Sequence, residues 1–271
     1  MTVNASGTIG SITITDPVVA TDVSADIASY VVSADVDDGN GNPVVDGTTV
    51  YWQDQNGNGT PAAGSSTTVG GVATMTFTLS TTATDTHLFE CDSDIGFGGV
   101  EGLSAVVTTI PGALNQFVYT PDPGLGGPYT AGANIALVVE AQDTNSNVLT
   151  SYSGPATISD TTGTIYETVV GDTLLTFTAG IYNGNVHITQ AAGGIQMTVT
   201  DGVSNQNATP FTVDPDVVDH FDVVVGDPQT TGVGFTSGSV TARDQFNNTV
   251  DTFDASVNNV TITASNGGAM A

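Results

Sequence analysis

Pro111-Gly-Ala-Leu-Asn-Gln-Phe117 recurs as Pro215-Asp-Val-Val-Asp-His-Phe221, 104 residues further along the chain. Each proline follows a β-prone stretch, Thr108-Thr109-Ile110 or Phe211-Thr212-Val213. Each phenylalanine opens a new apolar run, Phe117-Val118-Tyr119 or Phe221-Asp222-Val223-Val224-Val225. A second marker keeps step with the first. Asp38-Gly-Asn-Gly-Asn42, Asp143-Thr-Asn-Ser-Asn147 and Asp244-Gln-Phe-Asn-Asn248 share Asp and Asn four apart, at spacings of 105 and 101 residues. A period near 100 residues is the size of a whole domain and far longer than a solenoid repeat. The expected boundaries are therefore 1–112, 113–216 and 217–271, with short proline-containing junctions that join the domains semi-rigidly.

Within each repeat the pattern is strand after strand. Ile12 and Ile14 alternate with Thr13 and Thr15, and Met75, Phe77 and Leu79 with Thr74, Thr76 and Thr78. Leu175, Phe177 and Ala179 do the same with Thr176 and Thr178, and Val260, Ile262 and Ala264 with Thr261 and Thr263. Period two with one polar face describes antiparallel sheets with one solvated side. Composition agrees: 35 Val and 44 Thr stand against nine Leu and four Glu. Val and Thr are stiff at χ1 and suit a pleated strand. The expected fold is all-β, a tandem of Ig-like antiparallel β-sandwiches.

The stretches Asp38-Gly-Asn-Gly-Asn-Pro-Val44, Gly47-Thr-Thr-Val-Tyr-Trp52 and Gly70-Gly-Val-Ala-Thr-Met-Thr76 resemble the bacterial Ig-like domains of intimin- and invasin-type surface proteins. The resemblance implies a repeat stalk or adhesin segment on a prokaryotic cell surface. It also places Trp52 where such sandwiches bury a tryptophan. Cys91 is the single cysteine, so the cystine that packs on that tryptophan in antibody domains cannot form here.

Charge narrows the partners. Arg243 is the one basic side chain against 28 acids, for a net charge of −27. Neutralising phosphates needs a basic face, so nucleic acid and anionic membrane surfaces are excluded. No apolar run approaches the length of a membrane span. A lone cysteine in a β-prone stretch reads as a small buried hydrophobe.

Few constellations carry chemistry. Asp54-Gln-Asn-Gly-Asn-Gly59 matches the first half of a calcium loop, with Asp54, Asn56 and Asn58 as oxygen ligands. The position of the bidentate glutamate holds Ser65, so a plain Asn/Gly turn is the competing reading. Asp35, Asp37, Asp38, Asn40 and Asn42 offer five oxygen ligands within eight residues, a second candidate calcium site. Recurrence of its Asp/Asn pair in the other repeats favours an Asx-stabilised turn. Asp214, Asp216 and Asp219 crowd the second junction. His87 and His187 fall at similar places in their repeats and read as packing residues or surface side chains. No zinc cluster, nucleophile elbow or phosphate loop is present, so no catalytic residue is expected. Tyr129 is the best candidate for an exposed, glycan-stacking aromatic.

The expected function is a non-catalytic extracellular or cell-surface structural protein: a stalk, sheath or filament subunit whose partners are copies of itself or other surface proteins. The alternative is an adhesin or glycan-binding module that uses loops at a sandwich end. Residues 217–271 match only the first half of a repeat. The expectation is that the sequence continues or that another chain completes this half by strand complementation.

Overall fold

A computed structural model describes residues 7–27, 29–226, 230, 233, 238–258, 260 and 261. Among these the chain is β-strand and turn, apart from one 3-10 turn at Pro123–Leu125. By contact it divides into two compact units, residues 1–116 with 141–151 and residues 117–140 with 152–271.

In the first unit, Ser11–Asp16, Tyr30–Asp37 and Val72–Phe77 form one antiparallel sheet in that order. Ala63–Thr67, Thr49–Asp54, Phe89–Asp92 and Glu101–Leu103 form a second. A third sheet sets Thr21–Ser24 parallel, and Thr86–His87 antiparallel, to Val107–Ile110. The alternation does its work: Ile12, Ile14, Val32, Ala34 and Val36 are buried while Thr13 and Asp35 face solvent. They close on Trp52, Phe77, Phe89 and Cys91, with the Phe77 and Phe89 rings 4.6 Å apart. Trp52 is buried as expected, and its indole N–H donates to Ser66 Oγ at 2.8 Å. Cys91 is buried beside it in the sheet, and burial, then Asp92 and Glu90, push its thiol up to about 12. It is an inert packing residue.

The strands that follow repeat this plan. Gln116–Tyr119, Ile135–Gln142, Ile181–Ile188 and Ile165–Tyr166 form one sheet. Leu174–Leu175, Ala156–Asp160, Met197–Thr200 and Asn205–Asn207 form another. Tyr129–Thr130 lies parallel to Phe211–Asp214, which pairs with Ala192–Ile195. Phe117 packs on Tyr152 and Phe177. Beyond them His220–Val225 and Gly238–Arg243 form a two-stranded antiparallel sheet. Of the last alternating stretch, Ile262 and Ala264 lie outside the described residues.

The alternation from Leu175 stops earlier than the pattern implies. Leu175 and Phe177 are buried, but Ala179 is exposed. Thr178 and Ile181 exchange both backbone hydrogen bonds across a two-residue turn, Ala179 at φ 49° and Gly180 at φ 79°. Its counterpart is Gly70-Gly71, at φ 62° and 82° between Val69 and Val72. Two positive φ values match the right-handed strand twist and favour glycine at both positions. An alanine there carries a left-handed penalty of roughly 1–2 kcal/mol, partly offset in glycine by chain entropy. Ala179→Gly should therefore stabilise the protein by about 0.5–1 kcal/mol in urea unfolding. A loss of stability would show that the turn is unstrained.

Candidate functional site

The two expected calcium loops are separate structures. In the first, Asp35 is exposed on its strand, Asp37 half-buried, Asn40 exposed and Asn42 half-buried, while Asp38 is buried. Asp38 Oδ1 accepts the backbone N–H of Asn40 at 3.0 Å and of Asn42 at 3.1 Å. In the second, both oxygens of Asp54 also face donors. Oδ1 accepts from the N–H of Asn56 at 3.2 Å and of Leu88 at 3.1 Å. Oδ2 accepts from Gly59 N–H at 2.8 Å and meets His87 Nδ1 at 2.7 Å. Asn56 and Asn58 donate their side-chain amides to Thr86. These groups tie a turn to a neighbouring strand, the role an Asx turn takes when its carboxylate is buried.

Sequence reading missed the role of His87. Its side chain and that of Asp54 are fully buried. Ser80 N–H donates to His87 Nε2 at 3.3 Å, which places the ring proton on Nδ1, toward Asp54. Thr109 Oγ1 lies 3.4 Å from the same Nε2. Threonine, histidine and aspartate thus stand in the order of a nucleophile, base and orienting acid. All three are buried, and the ring nitrogen that a nucleophile would use already accepts a backbone N–H. The arrangement cross-links strands from inside the core.

Among the described residues, Glu90, Asp92 and Glu101 bring carboxylate oxygens within 4.8 Å of one another, the first two buried and the third exposed. None was marked by spacing, because they meet across paired strands. Glu90 accepts from the amides of Gln53 and Gln55, and Asp92 from the N–H groups of Asp94 and Gly99. Clustered carboxylate oxygens have the donor chemistry of a hard divalent cation.

The most regular feature is the Asp/Asn loop. In all three copies the aspartate Oδ1 accepts N–H groups two and four residues on: Asn40 and Asn42, Asn145 and Asn147, Phe246 and Asn248. The fourth loop residue has positive φ each time, Gly41 77°, Ser146 67° and Asn247 68°. Two copies go further. Within the first unit, Asp143 Oδ2 accepts Gly112 N–H at 2.8 Å. Asn147 Nδ2 donates to Thr81 O at 2.8 Å and its Oδ1 accepts Ala83 N–H at 2.8 Å. Within the second unit, Asp244 Oδ2 accepts Asp216 N–H at 3.0 Å. Asn248 Nδ2 donates to Thr189 O at 2.7 Å and its Oδ1 accepts Ala191 N–H at 2.9 Å. Asp143 and Asp244 are fully buried.

Tyr129 is not the exposed platform expected. It is half-buried, edge-on to Phe211 at 5.3 Å, and its hydroxyl donates to Pro123 O at 2.9 Å. The acids at the second junction also have local partners: Asp216 accepts from Gln245 Nε2, and Asp219 meets His220 Nδ1 at 3.0 Å. His187 stacks on Tyr166. Among the described residues no helix is long and apolar enough to cross a membrane.

Several buried carboxylates are held below their ordinary value. For Asp54, Asp143 and Asp244, burial pushes upward, but hydrogen bonds outweigh it, led by His87, Asn147 and Asn248 respectively. For Asp38 the backbone N–H groups of Asn42 and Asn40 dominate. Such groups stay ionised in the native chain at a pH where the unfolded chain has taken up protons. Their contribution is complete above about pH 4 and is lost as pH falls through the lower native values. Melting temperature followed by circular dichroism should therefore drop steeply below about pH 4. A flat profile down to pH 2 would contradict these bonds.

No family model and no curated protein matches the chain. Among solved structures it is similar to the C-terminal 282-residue fragment of intimin, solved in complex with the intimin-binding domain of the translocated intimin receptor. There the identity is 14% and the TM-score 0.33, over 76% of this chain and 65% of that one. For the S-layer protein SbsC the values are 16% and 0.34, over 89% and 32%. For a β-glycosidase from Bacteroides vulgatus they are 10% and 0.30, over 67% and 22%. The chain spans less than two thirds of the length of each of these three. Likenesses this distant say nothing of function.

Proposed function

We propose that the chain is a non-catalytic structural segment of an extracellular or cell-surface protein, built of Ig-like beads in series with boundaries near 112/113 and 216/217. Its work is to space and stiffen. The observation that carries this reading is the twice-repeated clasp, in which Asp143 with Asn147, and Asp244 with Asn248, make the same bonds to equivalent partners. On these boundaries each clasp ties a loop of one bead to the end of the bead before it. Such bonds resist bending without any reactive group. Each is worth about 1 kcal/mol, so three acting together hold a joint that a single contact would not.

Small-angle scattering of the Asn147→Ala/Asn248→Ala double variant tests the spacer reading. The expected result is a broader distribution of interatomic distances at an unchanged circular dichroism spectrum. Superimposable scattering from variant and parent would remove the clasp as a stiffener and the reading with it.

A further inference from the structure

We infer that the Asp38–Asn42 loop is a third clasp, which docks the edge segment of a further Ig-like bead of this kind through a Thr-X-Ala stretch. The inference rests on the serial-bead reading above and names the partner of one face of it. Its basis is that the loop shares its flanking backbone ladder, its side-chain pair and its left-handed fourth residue with the other two. Asp38 N–H donates to Asn42 O at 2.8 Å, as Asp143 does to Asn147 and Asp244 to Asn248, each at 3.0 Å. Val44 N–H returns to Val36 O, as Leu149 does to Ala141 and Val250 to Ala242. Gly10 N–H donates to Asp37 O, as Asn115 does to Gln142 and Asp219 to Arg243. The side-chain pair and the left-handed fourth residue are common to all three.

The loops differ in what their asparagine side chain does next. Asn147 and Asn248 each spend one amide hydrogen on the loop aspartate. The other hydrogen and the amide oxygen go to a carbonyl and to an N–H two residues further on. Those partners are Thr81-Thr82-Ala83 and Thr189-Gln190-Ala191, both Thr-X-Ala and both uncharged. Asn42 is half-buried and contacts Asp38 at 3.3 and 3.4 Å; among the described residues its amide oxygen and second hydrogen have no such partner. The matching occupant offers one carbonyl and, two residues later, one N–H, on an edge without charge. A basic segment is not what the paired loops select. The two Asp38 bonds that fix the loop are to N–H groups.

A fusion joining residues 7–215 to residues 7–271 tests this. It puts Gly7 of the second copy in the place of Asp216, a position equivalent to Gly112, and offers Thr189–Ala191 of the first copy to the second loop. The readout is solvent exchange of the asparagine side-chain amides by NMR. In the unfused chain Asn147 and Asn248 should exchange slowly and Asn42 fast. In the fusion, Asn42 of the second copy should slow by about tenfold while Asn42 of the first copy stays fast. If both Asn42 amides stay fast while Asn147 stays slow, the third clasp is overturned and the serial-bead reading stands. If Asn147 and Asn248 exchange as fast as Asn42 in the unfused chain, the reading falls and the third clasp falls with it. Calcium added alone to the unfused chain should leave Asn42 unchanged; saturable slowing by calcium would make a cation the occupant and overturn the inference.

Discussion

Asp54→Ala is expected to cost about 3–5 kcal/mol in urea unfolding, one of the two largest losses of any substitution outside the apolar core. The carboxylate accepts from Asn56, Leu88 and Gly59 N–H and from His87, all at 2.7–3.2 Å and without access to water. Removing it orphans buried donors, each at the price of its desolvation. Asp54→Asn should recover little, because its new amide hydrogens would face the Gly59 and His87 donors. Asp35 offers the contrast: it is an aspartate exposed on its strand. Asp35→Ala should stay within about 0.5 kcal/mol of the parent. Equal losses at Asp54 and Asp35 would mean that burial and bonding do not set the cost.

Asp143→Ala should lose about 2–4 kcal/mol. Its carboxylate serves Gly112, Asn145 and Asn147 N–H and the Asn147 amide while fully buried. Asn147→Ala should cost less, about 1–2 kcal/mol, since it leaves the loop turn closed and frees only one carbonyl and one N–H. That ordering separates the loop from the clasp. If Asn147→Ala were the more damaging of the two, the turn would depend on the clasp rather than support it.

Much of the fold was legible because it rests on local rules. Alternation of Thr with Ile, Val or Phe assigns faces to a strand whatever it packs against, and Ile12, Ile14 and Phe77 lie where the pattern puts them. The alternation broke off at Ala179, where two positive φ values are imposed by strand twist rather than by the alanine itself. The Asp/Asn loops were legible as turns, since an aspartate that binds N–H groups two and four residues ahead needs only its own neighbours.

The site was less legible, because its partners are far apart in sequence. Asp54 and His87 stand 33 residues apart, and Asn147 reaches Thr81 across 66. Spacing could suggest calcium at Asp38 and Asp54, since oxygen-rich loops look alike whether they bind a cation or an N–H. Only the folded chain shows which hydrogen atoms fill those lone pairs. The sequence by itself determined the β class, the period near 100 residues and the turn at each Asp/Asn marker, all consequences of short-range geometry. Tertiary structure alone decided which carboxylates are buried, that His87 closes the Asp54 network, and that two of the three equal loops grip a Thr-X-Ala edge. Hydrogen bonds between distant strands depend on packing, and packing has no local signature.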